Sequence, residues 1–204
     1  YYTPFIVTRK FETVNIGADY IAEVETKKEF VFYDKPEDES LVDVIAVLPN
    51  EELDETVYSS YDSNITRVEN RKKNAVAIYW QPKTGIVPYV PYTHKTRYRC
   101  PSKYGPYWFW QGNDVDAETG IISWTFYTSE PVEKAVAFKM PWYAPALKEK
   151  KLYKMASNKK LRNCPQPEIC NDNYEIKWEL HNPPKGSYNC IVFYEGGEAA
   201  YLSS

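Results

Sequence analysis

No run of apolar residues in this chain approaches the ~20 that would carry a helix across a bilayer. Histidine is reduced to two residues, His94 and His181, and with four cysteines at unsuitable spacing this argues against a zinc centre. Both histidines sit in turn-like contexts and are expected at the surface. Gly-x-Ser-x-Gly, a Gly-rich phosphate loop and His-Glu-x-x-His are all missing, so no catalytic residue and no enzymatic activity is expected. Acidic residues outnumber basic ones, 28 to 25, and no basic block stands out. A nucleic-acid partner is therefore not expected. The short cluster Lys148–Lys154 reads as a solvated face. Asp114, Asp116 and Glu118 lack the full EF-hand pattern and read as a solvated acidic turn, with no metal site expected. Neither an internal repeat nor a low-complexity tract is visible. The chain opens on Tyr1 with no signal peptide in front, which reads as a processed mature form.

What is abundant is aromatic surface. Nineteen tyrosines, eight phenylalanines and six tryptophans make up 16% of the chain, and such rings suit half-buried strands and wet-edged sites. The β-type runs are short and closely spaced. Tyr20–Glu25, Lys134–Met140 and Tyr174–Leu180 alternate in polarity, and Leu41–Leu48 is an almost unbroken apolar run of β-branched character. Pro4 argues against a central strand at the N-terminus and for an edge or arm. Ile121–Tyr127 and Lys134–Met140, joined by Ser129-Glu130-Pro131, read as a hairpin at the centre of the domain. Ala144–Ala156 is the one helix candidate. The fold class expected is all-β, a sandwich of about 10–12 strands with at most one or two short helices. The acidic stretch 49–63 divides it into an N-terminal strand-rich extension, residues 1–63, packed on the same domain, and a main sandwich, residues 64–204.

The four cysteines are an even number, and Asn64-Ile65-Thr66 is a glycosylation sequon. Together they point to an oxidising, extracellular setting with Asn64 modified. Of the three connectivities open to four cysteines, the preferred one joins Cys164 to Cys170 around a short loop and Cys100 to Cys190 between strands.

Tyr107-Trp108-Phe109-Trp110 is the densest aromatic run. Alternation sends Tyr107 and Phe109 to one face and Trp108 and Trp110 to the other. One face must be core. The other is either covered by a second layer or forms a ligand or membrane platform. With Trp124 and the corner Trp142-Tyr143, residues Tyr107, Trp108 and Trp110 make up the candidate ligand-binding set.

From about Asn64 onward the order of features resembles the actinoporin family of secreted β-sandwich cytolysins. Val68-Glu69-Asn70 followed by 74–80 is similar to the family's early strand–turn–strand. Pro88 and Val90-Pro91 resemble its proline-marked connection. Gly120-Ile121-Ile122-Ser123-Trp124 resembles its Gly-x-x-x-aromatic strand, and Ala135–Tyr143 its strand closing in a Pro corner. The resemblance implies a β-sandwich that meets phosphocholine lipid through a Tyr/Trp cluster after that corner and forms pores with an N-terminal amphipathic helix. Two parts of the pattern are missing. The first sixty residues read as strands and acidic loop, and Ala144–Lys151 places small and charged residues where further rings belong. The function expected is a secreted, non-enzymatic binding or storage protein on this scaffold, assembled with homologous subunits and carrying an apolar ligand such as a carotenoid or lipid. The alternatives are a membrane-binding, pore-forming cytolysin and a glycan-binding lectin.

Overall fold

The N-terminal strand is a central strand of the largest sheet. The computed structural model describes residues 5–35, 41–46, 58–59, 63–71, 75–100, 106–140, 149–159 and 162–203. In it β1 (Phe5–Ile16) lies between β2 (Ala22–Phe32), its antiparallel hairpin partner, and β9 (Thr119–Thr128), to which it is parallel. Pro4 lies outside the described residues, and the strand that begins after it is not the edge that Pro4 predicts. The full order of this seven-stranded sheet is β11 (Glu168–Cys170), β12 (Glu175–His181), β9, β1, β2, β7 (Pro91–Cys100) and β4 (Tyr58–Ser59).

Two three-stranded sheets cover its inner face. One has the order β10 (Val132–Met140), β13 (Gly186–Tyr194), β8 (Trp108–Val115); the other has β3 (Leu41–Ala46), β6 (Ala75–Pro82), β5 (Ser63–Arg71). The architecture is all-β and sandwich-like, with thirteen strands and two helices, α1 (Glu149–Ser157) and α2 (Gly197–Ser203), among the described residues.

Three apolar clusters follow from strand alternation. The first fills the space between the large sheet and the β10–β13–β8 sheet. There Val14, Val24, Trp124, Phe126, Ile176 and Trp178 face Phe109, Ala137, Cys190 and Val192. Trp124 and Trp178 are register partners on β9 and β12 and stack at 4.4 Å. The second lies on the opposite face of the small sheet, where Val136, Phe138, Ile191 and Phe193 are roofed by Tyr153 and Ala156 of α1 and Tyr201 of α2. The third joins Phe30 and Phe32 of β2 to Trp80 of β6 and to Ile86. The outer face of the large sheet carries cross-strand ion pairs in water, Arg97–Glu23 at 2.6 Å and Lys95–Glu25 at 2.9 Å, which add little stability individually.

The central hairpin expected from the sequence does not form. β9 and β10 are consecutive, but β9 pairs with β1 and β12 whereas β10 pairs with β13. Residues 129–131 are therefore a crossover between sheets. The physical reason is burial. Both faces of β10 carry apolar side chains and both are covered, so β10 belongs in a middle layer. β8 runs on to Val115, so Asp114, expected in a solvated acidic turn, lies on a strand. α2, which was not expected, begins where Gly197 lets the chain run against the carbonyl of Tyr107; a Cβ there would lie 1.9 Å from that oxygen. Gly120 permits a similar approach, since a Cβ would meet the carbonyl of Thr8 at 2.6 Å, beside the irregularity in β1 between Val7 and Arg9.

Candidate functional site

The structure disperses the aromatic set. Trp124 is fully buried (0% exposed) inside the first cluster. Trp108 and Trp110 are half-buried beneath the helical roof: Trp108 meets Tyr201 edge-on at 4.8 Å, and Trp110 meets Phe138 at 5.4 Å. The indole N–H of Trp110 donates to Asn189 Oδ1 at 3.0 Å. Alternation along the run holds, and the second face is covered by α1 and α2. Of the six residues, Tyr107 alone stands clearly in water among those described, at 56% exposure. Trp142 and Tyr143, with the Pro141 corner, lie outside the described residues.

The disulfides are also corrected. Cys164, Cys170 and Cys190 are free thiols, so neither Cys164–Cys170 nor Cys100–Cys190 is formed. Cys164 turns inward against the cluster that contains Cys190, whereas Cys170 lies on edge strand β11 opposite Glu175. Burial pushes the Cys164 thiol up to about 11, against a smaller pull from Lys139. Burial, and then Cys164, raise Cys190 further. Asn64 is exposed on β5, an edge strand of its sheet.

A polar constellation lies inside the sandwich. Between the first and third apolar clusters the inward rows of β1, β2 and β7 turn polar. Lys10, Lys28 and His94 are consecutive register partners, and so are Glu12, Thr26 and Thr96. His94 is 1% exposed, which corrects its expected surface position. Its ring lies flat on Trp80, with centroids 3.7 Å apart and planes 5° from parallel, and Nδ1 shares a 2.8 Å hydrogen bond with Ser63 Oγ. Glu12, 5% exposed, accepts from Gln111 Nε2 at 2.5 Å and from Thr26 Oγ1 at 3.4 Å, with Lys10 Nζ 3.7 Å away. Because Gln111 belongs to β8, that bond ties the small sheet to the large one.

A serine hydrogen-bonded to an imidazole is the minimal arrangement of an activated nucleophile. Here both members are closed off from solvent, and the ring face is occupied by Trp80. Glu12 is likewise satisfied by donors from two strands. Such networks fix the pairing of layers when every member is satisfied. The other histidine, His181, is exposed on β12 and lies 2.5 Å from Glu179.

A third constellation ties the roof down. Lys134 Nζ of β10 donates to both oxygens of Glu198 on α2, at 2.8 and 2.9 Å, and the hydroxyl of Tyr153 on α1 donates to the same carboxylate. Burial and then Glu198 raise the Tyr153 hydroxyl well above the usual phenol range. None of these residues was singled out from the sequence, since each draws its meaning from elements far apart in the chain.

No family model and no curated protein matches the chain. Solved structures do. Leukotriene A4 hydrolase from Saccharomyces cerevisiae is similar at TM-score 0.47 and 8% identity, over 93% of this chain and 29% of that one. A protein from Parabacteroides distasonis carried as a candidate protease is similar at TM-score 0.50 and 12% identity, over 98% of this chain and 43% of that one. The chain thus spans less than half the length of either protein, and what it has in common with the second is the fold.

Proposed function

We propose that the chain is a non-enzymatic binding domain. The observation that carries this reading is the state of its reactive side chains: Ser63 and His94 are buried and engaged with each other, with Trp80 on the imidazole face. A buried nucleophile held this way contributes to architecture, and chemistry on a substrate would require the β5–β7 contact to open. The apolar-ligand form of the reading has lost its support from Trp108, Trp110 and Trp124, which are spent on packing, and Tyr107 is left as the exposed ring. An extracellular setting is supported by the exposure of Asn64, and the mass of that residue's tryptic peptide from native material tests it.

The direct test is turnover. Purified protein should hydrolyse neither aryl esters nor amino-acid amides above the buffer rate, and Ser63→Ala should leave that rate unchanged. A hydrolytic rate that disappears in Ser63→Ala or His94→Ala, with circular dichroism still native, would overturn the reading.

A further inference from the structure

The outer face of the seven-stranded sheet is divided into zones by charge. On β2 and β7, Arg97 is paired with Glu23, Lys95 with Glu25 and Lys27 with Glu29. On β12, at the other side, Lys177 lies 3.2 Å from Glu175 and His181 lies 2.5 Å from Glu179. Between these flanks run β1 and β9, adjacent parallel strands in the middle of the sheet. Alternation turns Glu12, Val14 and Ile16 inward on β1, and Trp124, Phe126 and Thr128 inward on β9. Facing out are three register pairs, Phe11 with Ser123, Thr13 with Thr125 and Asn15 with Tyr127. None of these six carries a charge, and Arg9 closes the strip at one end. Phe11 is 36% exposed and Tyr127 44%. The four polar side chains make no hydrogen bond among the described residues. Four residues of strand and one strand spacing separate Phe11 from Tyr127, about 14 Å in a regular sheet.

The charges on both flanks are satisfied by one another, so the strip between them does not call for a charged partner. It offers two apolar rings, hydroxyls and an amide that both donate and accept, and no net charge. A polyhydroxylated, uncharged ligand with apolar C–H faces complements all three. We propose that this strip binds a neutral polysaccharide laid along β1 and β9. Sugar rings rest their C–H faces on Phe11 and Tyr127. Sugar hydroxyls exchange hydrogen bonds with Thr13, Asn15, Ser123 and Thr125, directly or through water. A protein partner is less well matched, because polar side chains outnumber rings here and a stable interface has an apolar centre. The surface is a sheet face, not a pocket, which suits the interior of a chain rather than its end. The inference rests on the binding-domain reading and deepens it by naming a ligand class.

The test is native electrophoresis of the purified protein through gels cast with soluble neutral polysaccharides (mixed-linkage β-glucan, xylan, galactomannan and glycogen), with polygalacturonate as the anionic control. At least one neutral gel should retard the protein. An oligosaccharide cut from that polymer should bind in calorimetry with a Kd on the order of 0.1–1 mM, and its affinity should hardly change with salt. Phe11→Ala and Tyr127→Ala should each weaken binding roughly three- to tenfold, with circular dichroism still native because both rings stand at the surface. Tyr89→Ala removes a more exposed ring on the loop before β7 and should leave binding unchanged. No retardation in any neutral gel, wild-type affinity in both ring variants, or affinity that falls steeply with salt would each overturn the site. Self-association in sedimentation velocity that Phe11→Ala abolishes would overturn it too, and would give the strip to a second copy of the chain. Those failures leave the non-enzymatic reading intact, whereas Ser63-dependent turnover removes that reading without touching the gel retardation.

Discussion

The side-chain amide of Gln166 pairs with the backbone of Ala137 as a neighbouring strand would. Its Oε1 accepts from the Ala137 N–H at 3.1 Å and its Nε2 donates to the Ala137 carbonyl at 2.8 Å. Two residues along β10, Asn163 repeats the device on Lys139, accepting at 2.8 Å and donating at 3.2 Å. Only residues of this parity turn their peptide groups away from β13, so two carboxamides close the open edge of a sheet that ends at β10. Replacing Gln166 by Ala should cost about 1 kcal/mol by urea denaturation and should speed hydrogen exchange at the Ala137 amide ahead of the β13 amides. The double variant with Asn163→Ala should also self-associate, which sedimentation velocity would show.

Glu198 makes stability depend on acid pH. Burial alone would raise its carboxyl, but the hydrogen bonds from Lys134 and Tyr153 outweigh burial and lower it. A carboxyl with a lowered folded-state pKa adds stability above its unfolded value, about 4.3, and loses it as pH falls through the folded value. Urea midpoints followed from pH 7 to pH 3 should therefore hold until about pH 4.5 as far as this group is concerned, and then decline. Lys134→Met removes the strongest opponent of burial and moves the folded-state value back up, so that variant should be less stable at pH 7 and its decline below about pH 4.5 should shrink.

Gln111→Leu leaves the buried Glu12 carboxylate without its shortest donor and should destabilise the fold by about 1–3 kcal/mol. Gln111→Glu sets a second carboxylate beside the first, so one of the two must hold a proton. That variant should gain stability as pH is lowered from 7 to 5, opposite to the Glu198 trend, and denaturation at the two pH values distinguishes them.

The thiols should report the fold. With the Cys164 thiol at about 11, about one in a thousand is ionised at pH 8, and the thiolate is the reactive form. Iodoacetamide at pH 8 should therefore label Cys170 first and Cys164 slowly, and should reach buried Cys190 only after unfolding. In denaturant without reductant, mass spectrometry should find all three alkylated. Resistant cysteines there would mean that disulfides form after all.

Fold class was legible because it depends on local pattern. The alternation in Tyr174–Leu180 became β12, Glu175–His181, and the strong strand signal in Tyr188–Tyr194 falls within β13, Gly186–Tyr194. Sheet partnership was not legible, because the residues of β9 and β10 are equally consistent with pairing to each other and with pairing to strands far away in the chain, as β9 does with β1. His94 shows how one boundary error spreads. With a strand started at Thr96 it reads as a turn residue; with β7 started at Pro91, His94, Thr96 and Tyr98 form one inward row. The resemblance to actinoporins rests on the order of strands and prolines after Asn64, and strand order does not specify register. Residues 64–204 by themselves would leave β9 without its β1 neighbour.

The parallel contact of β1 with β9 also sets the order of events during synthesis. Val7 pairs with Thr119 and Ile16 with Thr128, so β1 must wait for more than a hundred further residues to leave the ribosome before its second neighbour exists. Closing so long a loop is entropically slow. Until then the β1–β2 hairpin presents one unpaired edge, and the alternation that buries Val14 and Ile16 in the finished protein exposes them on the nascent one. Expression in the cold, or with trigger-type chaperones in excess, should raise soluble yield more than stabilising substitutions near the C-terminus would.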